Sequence, residues 1–104
     1  MKVLDSILQE ELSRLKELKQ NYKNEISKLP KGSLIKKNIK GQIYYYLNYR
    51  DKMKKQFKYL GKLNKKELEI WEKQINERRN LWKLLIQIKK DIKKLERIVG
   101  GKSK

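Results

Sequence analysis

The chain has 104 residues, with 29 Lys and Arg against 12 Asp and Glu, a net charge of +17 and a sequence pI of about 10.1. Cys and His are both absent, which excludes disulfides, thiolate nucleophiles, imidazole bases and nearly every transition-metal site. The length suits one small domain, and the 38% hydrophobic residues include no alanine, so the core is built from few but large side chains.

In chain order, Leu4, Ile7, Leu8, Leu12, Leu15, Leu18, Tyr22, Ile26 and Leu29 recur at steps of three and four, which predicts an amphipathic helix over 3–28. Pro30 and Gly32 end it. Its flanks mix charges, and Glu10 four residues before Arg14 has the spacing of a helical ion pair.

The segments 33–39, 42–50 and 54–60 are short β-branched or aromatic runs separated by turn residues, and they predict a three-stranded antiparallel meander over 33–60. Lys40-Gly41 suits a two-residue hairpin turn, and Asp51-Lys52-Met53 a slightly longer one.

A complete helix start follows. Asn64 is the N-cap, Glu67 closes a capping box, and Leu63 with Leu68 forms a hydrophobic staple. Leu68, Trp71, Ile75, Leu81, Trp82, Leu85, Ile88, Ile92, Leu95 and Ile98 keep helical spacing, which predicts a helix over 64–98, stopped by Gly100-Gly101, and a disordered tail over 100–104.

These elements define an α+β single domain over 1–104: a helix, a three-stranded antiparallel β-meander and a long helix, with the helices forming an antiparallel coiled-coil-like hairpin. Leu68, Trp71 and Ile75 are expected under the sheet. Leu81, Trp82, Leu84, Leu85, Ile86 and Ile88 cover roughly 200° of the second helix at 100° per residue, wider than one partner helix buries. Shared burial by the first helix and the sheet is one explanation, and a homodimer through 81–88 is the one favoured.

Strand alternation groups Ile35, Ile39, Tyr44, Tyr46, Phe57 and Tyr59 with Lys37 and Lys55 on one sheet face. Leu34, Lys36, Ile43, Tyr45, Leu47, Tyr49, Lys54 and Lys58 share the other. The first set is expected to be the core and the second the exposed, functional surface.

Residues 31–66 hold twelve basic side chains and one acidic, against a net +1 over 1–30 and +5 over 67–104. Ordinary surfaces mix the signs, so this block points to a polyanionic partner. The expected contacts are Lys36, Arg50, Lys52, Lys54 and Lys58 on phosphates, with Tyr45, Tyr49 and Asn38 against a groove. A sheet entering the major groove and tyrosines stacking on unpaired bases are both compatible with these residues. The plainer alternative is that the tyrosines are ordinary strand residues and the lysines a solvated edge. A second basic cluster, Arg78, Arg79, Lys83, Lys89, Lys90, Lys93, Lys94 and Arg97, reads as a solvated helix face.

No activated nucleophile, base or phosphate-cradling glycine motif can be assembled, so neither an enzyme nor a cofactor is expected. The chain has no apolar run long enough to span a membrane, and residues 1–5 lack the marks of a secretory signal. A cytoplasmic protein with no membrane partner is expected.

Leu29-Pro30-Lys31-Gly32-Ser33-Leu34, Ile39-Lys40-Gly41, Tyr44-Tyr45-Tyr46-Leu47-Asn48-Tyr49-Arg50 and Tyr59-Leu60-Gly61-Lys62 together resemble a family of short prokaryotic proteins, a domain of unknown function. The resemblance implies a setting near transposases, integrases and other mobile-element genes. The strand pattern is also similar to the arm-site DNA-binding domains of tyrosine recombinases, although the long second helix does not belong to those. The expected function is a small basic nucleic-acid-binding protein of a mobile element or phage, with DNA ahead of RNA. An inhibitor or interaction module acting on a host defence ribonucleoprotein, and a structural coiled-coil dimer, are the alternatives.

Overall fold

The computed structural model describes residues 2–101. The order is α1 (Lys2–Ser27), β1 (Ser33–Ile39), β2 (Gln42–Asp51), β3 (Lys54–Gly61) and α2 (Lys65–Gly101). The fold is α+β, with a three-stranded antiparallel sheet in the order β1-β2-β3 between two helices. The described residues form two compact units, one of residues 29–79 and one of 2–28 with 80–101.

The helical unit is held by one apolar seam. Leu12 and Leu15 of α1 are buried in a cluster with Ile88 and Ile92 of α2, and Leu18, Tyr22 and Leu95 pack against it. On α2 the inward positions 81, 85, 88, 92 and 95 alternate steps of four and three, the spacing of a coiled-coil seam. Leu85 is its most buried member, with 2% of its surface accessible. In the other unit, Arg79 donates to the Gly32 carbonyl oxygen (3.2 Å). Lys16 and Glu96 join the two helices at 3.7 Å, an exposed pair of small energetic weight.

Two details of the helices differ from the sequence expectation. Arg14 pairs with Glu11 through two bonds (2.7 and 2.9 Å) and not with Glu10, because three-residue spacing brings the planar guanidinium fork square onto the carboxylate. Those hydrogen bonds hold the Glu11 carboxyl below its ordinary range. In addition, α2 does not stop before Gly100-Gly101 but runs through both. Glycine lowers helix propensity without forbidding it, and here the helical turns before it continue past the expected stop. Residues 102–104 of the expected tail lie outside the described residues.

The start of α2 follows the sequence signal. The Glu67 N–H donates to Asn64 Oδ1 (2.8 Å), and the Asn64 N–H donates to Glu67 Oε1 (3.1 Å). This reciprocal pair satisfies two donors that a bare helix end would leave open.

Both hairpins use two-residue turns. Lys40 (φ 52°) and Gly41 (φ 80°) join β1 to β2, and Asn38 Oδ1 accepts the Gly41 N–H at 3.0 Å. Lys52 (φ 49°) and Met53 (φ 67°) join β2 to β3. The longer turn expected at 51–53 is therefore one residue shorter, because Asp51 pairs with Lys54 across the ladder. Positive φ at both central positions matches the twist of the flanking strands, but neither Lys52 nor Met53 is a residue that favours it. Gly32 (φ 114°) is required for a different reason: a Cβ there would fall on the Asn48 carbonyl oxygen.

Met53 is almost fully exposed, so its side chain contributes no packing to the native state. Met53→Gly should raise stability by about 1 kcal/mol, read as a higher urea midpoint at unchanged slope. Gly32→Ala should lower it by on the order of 3 kcal/mol through strain and collision.

Candidate nucleic-acid interface

The register fixes which side chains share a face. Ile35 lies opposite Tyr46, Lys37 opposite Tyr44 and Ile39 opposite Gln42 across β1 and β2. Tyr46 lies opposite Tyr59, Asn48 opposite Phe57 and Arg50 opposite Lys55 across β2 and β3. The second face carries Leu34 opposite Leu47, Lys36 opposite Tyr45, Leu47 opposite Lys58 and Tyr49 opposite Gln56. The ladder shifts between Tyr45 and Tyr46, where Tyr45 pairs with Gly61 and Leu60 is the unopposed residue.

The grouping of residues into faces is as the alternation predicts, but their roles are reversed. Leu47 is the buried residue of the sheet, at 6% accessible, and its partner Leu34 shares a pocket with the buried Ile75 of α2. The Leu34–Leu47 face is thus the covered one. Phe57 (58%), Tyr59 (57%) and Ile39 (46%), all expected in the core, stand open to solvent. The physical reason lies in the side-chain types. Two leucines directly opposite each other form an aliphatic patch that a helix stripe of Leu68, Trp71 and Ile75 can cover, with Tyr45 and Tyr49 beside it only half-buried. Burying the other face would enclose Tyr44, Tyr46 and Tyr59, whose three hydroxyl groups would each need a partner.

The expected contact residues are divided accordingly. Tyr45 and Tyr49 are half-buried on the covered face, where Lys36, Asn38, Lys54 and Lys58 are exposed. Asn38 has its side-chain oxygen engaged in the hairpin turn. Arg50 projects from the opposite face beside Lys55, and Lys52 occupies the β2–β3 turn. The eight residues do not form one surface.

The open face holds a constellation of residues expected in the core. The Tyr46 and Tyr59 rings are 5.2 Å apart, Tyr44 and Tyr59 are 6.3 Å apart, and both pairs are tilted. With Ile39 the three rings line a shallow depression. Lys37 Nζ stands 5.1 Å from the Tyr46 ring centre, and Lys62 Nζ 5.8 Å from that of Tyr44. A cation over an exposed ring contributes about 0.5–1 kcal/mol, less than the about 1–3 kcal/mol of a base stacked on an aromatic ring. The lysines can therefore be displaced toward a phosphate. Lysine alternation could not have located this surface from the sequence, since Lys36, Lys54 and Lys58 stand on the covered face as Lys37 and Lys55 do on the open one.

The fold is that of a small α+β protein with a basic, aromatic sheet face open to solvent. Residues 8–69 match the profile of DUF6788, a domain of unknown function, and the chain belongs to that family. The match covers most of α1, the whole sheet and the start of α2. It shows this family and no recombinase domain. No curated protein and no solved structure matches the chain.

The assignment of faces has a direct check. Leu47→Ala should cost about 2–5 kcal/mol, as for a buried leucine, whereas Phe57→Ala should change stability by less than about 1 kcal/mol. Chemical denaturation of both variants reads the difference.

Proposed function

We propose that the protein binds nucleic acid, DNA ahead of RNA, through its β-meander, in the setting of a mobile element or phage. One observation carries this reading. All twelve basic residues of 31–66 are exposed, and among the described residues none of them forms an ion pair. A field of that size around three short strands repels itself, which works against the compact state. A polyanion relieves the repulsion by laying phosphates among the cations and releasing its own counterions. Lys37, Lys55 and Arg50 on the open face, with Lys36, Lys54 and Lys58 along the other side, surround the strands with such positions.

Affinity for DNA should fall steeply with salt, with a log–log slope of about −0.7 to −0.9 for each phosphate neutralised. The double charge reversal Lys37→Glu with Lys55→Glu should make that slope shallower. Electrophoretic retardation across a salt series measures both, and binding that ignores salt rules the reading out.

A second feature concerns self-association. Trp82, Leu84 and Ile86 of α2 are exposed, and they flank the buried seam positions Leu85 and Ile88 on both sides. We infer that a second copy covers these flanks, since an apolar strip on both sides of a helical seam suits a bundle of more than two helices. Light scattering should give the mass of a dimer for the native chain and of a monomer for Ile86→Glu.

A further inference from the structure

We propose that the open face of the sheet is a stacking platform for single-stranded DNA, with its two exposed rings, Tyr59 and Phe57, as the base-stacking positions. This deepens the nucleic-acid reading above and rests on it. The faces of the rings decide the type of strand. In a duplex the base faces are hidden in the stack, so a sheet pressed on it would meet only base edges, sugars and phosphates. The exposed rings of Tyr59 and Phe57 would then lose water without gaining a π-face to pack on. An unpaired strand offers those faces, and stacking tolerates any sequence because each base has one.

The spacing of charge around the rings fits the same occupant. Lys37 and Lys62 are already drawn over Tyr46 and Tyr44, within a side chain's reach of where the backbone of a stacked strand would pass. Arg50 and Lys55 extend the positive track along the same face past Phe57. The depression is walled by Ile39 and the three tyrosines, with no amide or carboxylate among them. Deoxyribose and a thymine methyl group match such a wall. A ribose 2′-hydroxyl placed against the Ile39 side chain, away from the tyrosine hydroxyls, would lose water without a partner, which sets DNA ahead of RNA.

Fluorescence anisotropy of labelled oligodeoxythymidine, of a duplex of equal length and of oligouridine, at one salt concentration, tests this. The single DNA strand should bind tightest. Tyr59→Ala should weaken that binding on the order of tenfold and leave the duplex affinity unchanged, while Tyr59→Phe, which keeps the ring, should bind like the native chain. The platform is overturned if the duplex or the RNA binds as tightly as the single strand, if Tyr59→Ala has no effect on it, or if Tyr59→Phe weakens it as much as alanine does. Equal binding to all three ligands overturns the platform and leaves nucleic-acid binding standing. Binding to none of them overturns both.

Discussion

The rest of the sheet follows from the contact between Leu34 and Leu47, directly opposite each other on β1 and β2. Side chains on a strand alternate with a period of two, so choosing a face for one residue chooses it for every second neighbour. Once Leu47 is buried, Tyr44, Tyr46, Phe57 and Tyr59 must point the other way. A core contact of two leucines thereby decides that Phe57, Tyr59 and the lysines of that face are exposed, with Tyr44 and Tyr46 half-buried among them. The open aromatic face is a consequence of where the aliphatic side chains are hidden.

The turns and the glycine at the sheet's entry serve the same register. Lys40-Gly41 and Lys52-Met53 take positive φ so that the strands keep their twist, and the second does so with residues that favour other conformations. Gly32 lets the backbone pass close to the Asn48 carbonyl. Without that approach, Ser33 could not lie opposite Asn48, and the register that sets Leu34 against Leu47 would shift. A slip by one residue would exchange the two faces completely.

Charge and packing are separated along the chain. The helical seam is made of Leu and Ile with few polar links across it, and it lies where the net charge per segment is low at the first helix. The sheet has little interior and carries the excess of positive charge on exposed side chains. Stability therefore resides mainly in the helical unit and in the covered sheet face. The open sheet face is released from that duty, and it can hold aromatic and cationic groups in an arrangement that packing alone would not select.

The sequence by itself determined the elements: helical periodicity, the Asn64–Glu67 capping box, the Lys40-Gly41 turn and the alternation of the strands all produce what they announce, because each depends on residues close in the chain. It also determined which residues share a face, since alternation is local. Only the tertiary structure decided which face is covered, because that depends on how the α2 stripe containing Ile75 meets the sheet, and on the difference between burying two leucines and burying three hydroxyl-bearing rings. Six large apolar residues on one side and five on the other gave no clear preference by number. The choice was made by shape and by hydrogen-bonding needs across elements about thirty to forty residues apart in the sequence, and local patterns carry no information at that range.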